Sequence, residues 1–362
     1  MLDIPFICRN EDYQKFSASG PLLNILLATK YNSSKEGKDP PLKIVTNCLV
    51  TKIRQENGRA TYLETTKNDF TLGNAKLILA MGTLPPTTLM LNSFPPSSFH
   101  QLSNIGKRFT SHFISSIIAR VPVNDVENSL VNLYVSLRER ALGKLEMGAL
   151  YIAGENPESK HQFHIQLTAI LDATPKENIY DTFRHLPDVV AAPSLEQLLS
   201  SKDPPHVVFV CACLGQLDHD NKDNWFQLND HQDLSCNTTL QVVANKKDDQ
   251  LWDTMDETTF NLLTKYLSAP NKLEYWHSDG TWKKAQPPKD QIRVPGLVHE
   301  ASTMWIGNDK DQQSPVDLDY RFRGVENVYL TGGALWPTGA SWNPTCATTA
   351  MAMHLADKLY KK

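Results

Sequence analysis

The sequence predicts a mixed fold of the α+β or α/β class. Three stretches carry that expectation: a strand, turn and helix at the C-terminal end, a hairpin near the beginning, and a set of long apolar strands between them. At the C-terminal end, Val328, Tyr329 and Leu330 are strand formers, and Gly332 and Gly333 close that strand with residues that let backbone come near a ligand. Thr345 onward reads as helix. Asn343 suits the N-cap, and Pro344 suits the first helical position, where a missing N–H costs nothing. Ala347, Met351, Leu355 and Leu359 recur every four residues, so the helix is expected to be buried along that stripe. Its first turn presents unpaired N–H groups and partial positive charge, which favours an electron-rich partner in front of Asn343.

Earlier in the chain, residues 1 to 40 read as polar and irregular apart from a helical candidate over Leu22 to Lys30, and Lys35 to Pro41 reads as a linker-like break. Leu42 to Val45 and Cys48 to Arg54 are strand candidates. Asn57-Gly58 is a hairpin turn signal, and Arg59 to Thr65 is the returning strand. Lys76 to Ala80 is a further short strand that ends in Met81-Gly82. From Phe113 the strands lengthen: Phe113 to Val123, Gly148 to Gly154, Gln162 to Ala173 and His206 to Gly215 imply one sizeable antiparallel or mixed sheet. Thr254 to Leu267 carries Phe260, Leu263 and Tyr266 at helical spacing and reads as a helix on that sheet.

The 362 residues suffice for two domains, or for one large domain with an inserted part. Hydrophobic residues at 41% and charged residues at 21% are ordinary for a globular protein, and a net charge of −4 argues against nucleic acid or an anionic membrane as partner. The six cysteines, at 8, 48, 211, 213, 236 and 346, have no zinc-type spacing and read as buried thiols. The first residues lack a leader pattern, and no run approaches a membrane span, so a cytoplasmic location is expected. No metal site is expected. Asp218 to Asn229 fails as a calcium loop at Lys222, Asp223 and Asn229, and His206, His219 and His231 have no ligand spacing.

Two segments are specific. Pro295 to Gly307, PGLVHEASTMWIG, and the Asn343-Pro344-Thr345 that opens the last helix resemble the glucose-methanol-choline (GMC) family of FAD-dependent oxidoreductases, most closely its pyranose-oxidase branch. Weaker similarity runs through Ile78 to Leu91, Gly106 to Phe113 and Leu214 to Leu228. The resemblance implies an FAD-binding domain from residues 1–112 and 295–362 with a substrate domain, 113–294, inserted between. It implies His299 as the base that takes an alcohol proton while hydride leaves for flavin N5, and Asn343 as hydrogen-bond partner of the substrate oxygen. Cofactor contacts are implied at Val50, Gly82, Gly332, Gly333, Ala334, Asn343, Pro344 and Thr345, and an alcohol-type small molecule as substrate.

The chain departs from that pattern in places. Ser302-Thr303 and Trp305-Ile306-Gly307 stand where the family has Gly-Thr and Arg-Met-Gly, and Ser111 stands for the aspartate before His112. None of the seventeen glycines forms G-x-G-x-x-G, the element that anchors a dinucleotide pyrophosphate. Against the family pattern Met1 falls well inside, which leaves a natural truncation, a separately encoded N-terminal part and a misassigned start as alternatives. Beside the enzyme reading stands a second: an inactive truncated homologue, or one part of a split enzyme whose partner is a separate N-terminal chain. A homo-oligomer is a further option.

Overall fold

The computed structural model describes residues 9–10, 15–16, 19–36, 42–126, 145–186, 192–199 and 205–361. Cys8 and residues 37–41 of the expected linker lie outside them. The chain divides into two compact units, residues 1–49 and 50–362. In the first, helix α1 (Ser19–Glu36) extends the expected 22–30 helix at both ends. Leu42 to Val45 forms no strand. A four-residue apolar run becomes a strand only when a neighbour supplies a ladder, and none of the described strands pairs with it.

In the second unit, β1 (Val50–Glu56) and β2 (Arg59–Thr65) form the expected hairpin. Asn57 and Gly58 both have positive φ, 51° and 81°, as a type I′ turn requires. β3 (Leu77–Leu79) leads through Gly82 into helix α2 (Leu84–Ser93), whose apolar residues are buried nearly all round.

The large sheet is seven-stranded. β4 (Thr110–Pro122), β5 (Leu145–Glu155), β6 (Gln162–Asp172) and β7 (His206–Gln216) pair antiparallel in the order β4-β7-β6-β5. β7 is buried on both faces, which explains its uninterrupted apolar run. One face, with Phe209, Cys211 and Cys213, packs under helix α3 (Lys246–Tyr266) against Leu251, Met255 and Leu263. The other, with Val208 and Val210, meets Ile170, Leu186 and Leu198. α3 starts eight residues before the expected Thr254. Asn245 and Asp248 cap it reciprocally: the Asn245 side chain accepts from the Lys247 and Asp248 amides, and Asp248 accepts from the Asn245 amide at 2.8 Å.

The outer edge of β4 is shared. β8 (Glu274–Trp276) pairs along its end and carries the hairpin partner β9 (Trp282–Lys283) on its far side, and β10 (Arg293–Ala301) pairs along its beginning. β11 (Val328–Leu330) runs parallel to β3, Val328 opposite Leu77 and Leu330 opposite Leu79. A second core, with Ile53, Met90, Phe94, Phe322 and Leu335, lies around this pair.

Two expectations change here. In helix α4 (Thr345–Tyr360) Leu355 is buried, Met351 and Leu359 are half-buried, and Ala347 is exposed. A four-residue repeat on a 3.6-residue helix drifts, so Ala347 and Leu359 face directions roughly 120° apart. Among the cysteines, Cys211 and Cys213 are buried, Cys48 is half-buried, and Cys236 and Cys346 are exposed. Burial pushes the Cys211 thiol well up and that of Cys213 up to about 12, so both are inert packing groups.

Gly106 stands at φ 79°, and a Cβ there would come within 1.9 Å of the Phe226 carbonyl oxygen. The Phe226 amide donates to Gly106 O at 2.7 Å, so the two segments cannot separate cheaply. Gly106→Ala is expected to lose about 3 kcal/mol or more in urea unfolding, from left-handed backbone plus the clash; a loss below about 1 kcal/mol would mean the contact yields.

Candidate functional site

The parallel strands β3 and β11 put their carboxyl ends side by side, the place where open parallel sheets bind ligands. There β3 runs on to Gly82, at φ 78°, and β11 to Gly332, at φ 104°. A Cβ on Gly332 would stand 2.8 Å from Gly82 O, and one on Gly333 would stand 2.5 Å from Thr83 Oγ1 and 2.6 Å from Glu300 O. Neither position accepts a side chain. A Cβ on Gly82 would meet nothing within 4 Å, so this glycine faces open space. Thr83 Oγ1 donates to Glu300 O at 2.6 Å, Ser302 Oγ to Trp336 O at 2.7 Å, and the Met304 amide to Ala334 O at 2.9 Å. These bonds lace residues 300–304 to the Gly-Gly turn.

A cavity of about 550 Å³ opens against this seam. Gly82, Thr331, Gly333 and Trp336 line it, His299 forms part of its wall, and Pro344 and Thr348 close it from α4. Thr331 Oγ1 and Trp336 Nε1 are buried and have no hydrogen-bond partner among the described residues. Buried polar groups are rarely left so, and two of them on one cavity call for a ligand with polar atoms.

A β-bulge aims His299. From Val298 to Ala301 strand β10 advances three residues while its partner β4 moves two, from His112 to Thr110. His299 is the extra residue in left-handed backbone, with φ 64°. Its Nδ1 lies 3.0 Å from Nδ1 of His112, and the two rings meet edge to face with centroids 5.0 Å apart. Nε2 of His112 is 2.9 Å from the carbonyl oxygens of both Gly339 and Ala340. Burial pushes His112 down to about 4, and His299 opposes its charging further; the carbonyls of Gly339 and Ala340 pull the other way and do not offset it. His164 of β6 is fully buried. Its Nδ1 bonds the Ser341 carbonyl, its ring stacks on Trp342 with planes 4° apart, and burial brings it too to about 4.

Gly82, His299, Gly332, Gly333 and Pro344 therefore come together around one cavity. Four other sequence candidates lie outside its lining. Val50 is half-buried on the hairpin core, Ala334 is buried beneath the Gly-Gly turn, and Asn343 and Thr345 are exposed. The expected N-cap also shifts. Pro344 is already helical and takes the N-cap position without a side-chain cap, and its carbonyl accepts from the Thr348 amide at 2.9 Å. Sequence reasoning missed Thr83, Thr331, His112 and His164 as contributors. The last two could be found only from strand register.

A second cavity, about 450 Å³, lies between Arg108, Trp225 and Trp305. Within it Arg108 pairs with Asp220 at 3.7 Å.

The family model for GMC oxidoreductase matches residues 288–352, the stretch that holds His299, the Gly-Gly turn and the start of α4. That match, over 65 of the 362 residues, falls on the segments that carry the resemblance to the GMC family. Among solved structures it is similar to an FAD-dependent oxidoreductase from Chaetomium thermophilum in complex with a fragment, at 14% identity over 92% of this chain and 63% of that one, with a TM-score of 0.52. It is also similar to pyridoxine 4-oxidase from Mesorbium loti, at 12% identity over 91% and 60%, with a TM-score of 0.49. The first likeness is one of fold: a mixed α+β architecture with a multi-stranded antiparallel sheet. The chain spans 63% and 60% of the lengths of these two structures. No curated protein matches it in sequence.

FAD is the cofactor that the resemblance over residues 288–352 implies. The cavity fits the ring end of such a group. It offers glycine backbone with open space at Gly82, buried unpaired polar atoms on Thr331 and Trp336, and a volume in the usual range for a small-molecule site.

His112 and His164 also make the fold acid-sensitive. Their folded pKa lies below the unfolded value, so the unfolded chain binds more protons as pH falls from about 6.5 to about 4, and stability drops through that window. The loss is on the order of 3 kcal/mol for one such group. Urea unfolding at a series of pH values should show this slope in the wild type and a shallower one in His164→Leu; equal slopes would exclude His164 as a contributor.

Proposed function

We propose that the protein is an FAD-dependent oxidoreductase acting on the CH–OH group of an alcohol-type substrate, with His299 as the base. One observation carries this reading: the His299 imidazole lies on the wall of the same cavity as the glycine seam of Gly82 and Gly333. Gly82, Thr331, Gly332, Gly333 and Trp336 would hold the flavin ring. When bound, the flavin supplies the hydride acceptor. The chain supplies the rest. His299 takes the hydroxyl proton as the general base. Asn343 donates to the substrate oxygen, and the open first turn of α4 favours negative charge in front of it. The sheet of residues 113–294 forms the substrate side, with Trp342 and Tyr151, whose rings stack at 5.9 Å, as a flat surface.

A second reading has its own support. The sequence contains no pair of glycines separated by one residue, so the usual pyrophosphate loop is missing from these 362 residues. Ile78 on β3 and Met353 on α4 are 45% and 67% exposed. Both features suit an inactive homologue, or one part of a split enzyme completed by a separate chain or by a second copy.

The visible spectrum of flavin released by denaturation, quantified against protein, separates the readings. The enzyme reading expects close to one flavin per chain. It also expects His299→Ala to keep that flavin while losing roughly 100 to 10,000-fold in turnover with alcohols. Unchanged turnover removes His299 from the role, and no flavin even after incubation with FAD favours the split or inactive form.

A further inference from the structure

His112 is buried behind His299, out of solvent, yet its two ring nitrogens have unlike surroundings that dictate where protons sit. Nε2 faces two carbonyl oxygens at 2.9 Å, Gly339 and Ala340, and a carbonyl has no hydrogen to give. Nε2 must therefore carry the proton and donate. Full burial beside another imidazole keeps the ring neutral, so Nδ1 of His112 holds a bare lone pair. That lone pair lies 3.0 Å from Nδ1 of His299. Two lone pairs at that distance repel, and a hydrogen between them makes a good N–H···N bond. The hydrogen belongs to His299. A neutral His299 protonated on Nδ1 has its basic lone pair on Nε2.

We propose that His112 is a positioning residue that holds His299 in its Nδ1–H tautomer, and so makes Nε2 the nitrogen that takes the substrate proton. The proposal rests on the reading of His299 as base and adds which atom acts and why. In the proton step the alcohol O–H bond breaks, the Nε2–H bond forms, and the electron pair stays on the oxygen. His299 is then an imidazolium whose Nδ1–H donates a charge-assisted bond to His112, which stabilises the charge where it develops.

The surrounding fold holds the relay at both ends. The bulge at His299 turns its ring toward β4, where His112 stands opposite Val298. At the other end a Cβ on Gly339 would lie 2.9 Å from Thr110 Oγ1, so only glycine lets the carbonyls of Gly339 and Ala340 come this close to β4. Carbonyl, His112 and His299 thus form one hydrogen-bonded line, in the way an outer partner orients the imidazole of a catalytic pair.

The test is the tautomer itself. Long-range proton–nitrogen spectra of the full chain labelled with ¹⁵N-histidine, at about pH 7.5 and without substrate, should show His299 protonated on Nδ1 and His112 on Nε2. His299 protonated on Nε2 overturns the proposal at once, whatever the activity. In His112→Leu the tautomer should shift toward the Nε2–H form that free imidazoles prefer, and kcat should fall roughly 10 to 100-fold with KM little changed. His112→Asn, which offers an amide oxygen near the lost Nδ1, should restore most of both. An unshifted tautomer in His112→Leu, or a loss that His112→Asn does not repair, would leave His112 as packing alone and overturn the positioning role. Turnover of His299→Ala in parallel tests the base separately, so a failed base and a failed relay give different results.

Discussion

The pairing of β4 with its neighbours on both edges is the constraint on which the rest of the second unit depends. One edge of β4 is used from His112 to Pro122 by β7, and the other is divided between β8 and β10. A buried polar knot holds that division. Ser115 Oγ on β4 donates to Asp256 Oδ1 of α3 at 2.6 Å, Trp252 Nε1 of α3 donates to Ser115 Oγ at 2.7 Å, and Arg293 Nε at the start of β10 donates to Asp256 Oδ2 at 3.0 Å. Burial raises the Asp256 pKa despite the Ser115 and Arg293 bonds, a sign that the carboxylate is held at some cost. What that cost secures is register. A slip of β10 by one residue would turn His299 away from the cavity.

Backbone strain gathers at the same place. His299, Ser302 and Ala340 all have positive φ, at 64°, 67° and 49°, without being glycine. Each such residue costs roughly 1–3 kcal/mol and persists only where its surroundings overdetermine it. Here they do. Ser302 is held by its amide on Gly333 O at 3.2 Å and its hydroxyl on Trp336 O, and the Ala340 carbonyl receives the His112 imidazole. The strain and the hydrogen bonds that hold it define a cavity wall that is set before any ligand arrives, which suits preorganised chemistry.

The cavity itself follows from a simpler rule. Two parallel strands end together and run on to glycines at positive φ, Gly332 with no room for a side chain and Gly82 facing open space, and the space left in front is wide enough for a flat ring. His299 reaches that space from the antiparallel sheet, Gly82 and Gly333 from the parallel pair, and Pro344 from the helix end. Three elements with different architectures thus meet at one point, and the chemistry proposed for it uses one contribution from each.

Much of this was legible in the sequence because it is local. Asn57-Gly58 demanded its hairpin, the long alternating and continuous apolar runs demanded strands, and the paired segments around His299 and Asn343 carried the resemblance that the family match over residues 288–352 repeats. Local signals also erred where a neighbour decides. Leu42 to Val45 found no ladder, α4 was buried at Leu355 rather than along its stripe, and α3 began at a cap of Asn and Asp that its apolar spacing did not reveal. The closeness of His112 to His299 was beyond reach. The two are 187 residues apart, and their meeting depends on the register of β10 against β4 and on a one-residue bulge. By itself the sequence determined the elements and the residue types at the site. Which atoms face each other was decided only by tertiary pairing, because a shift of one residue in a strand reverses every side chain and no local pattern sets that register.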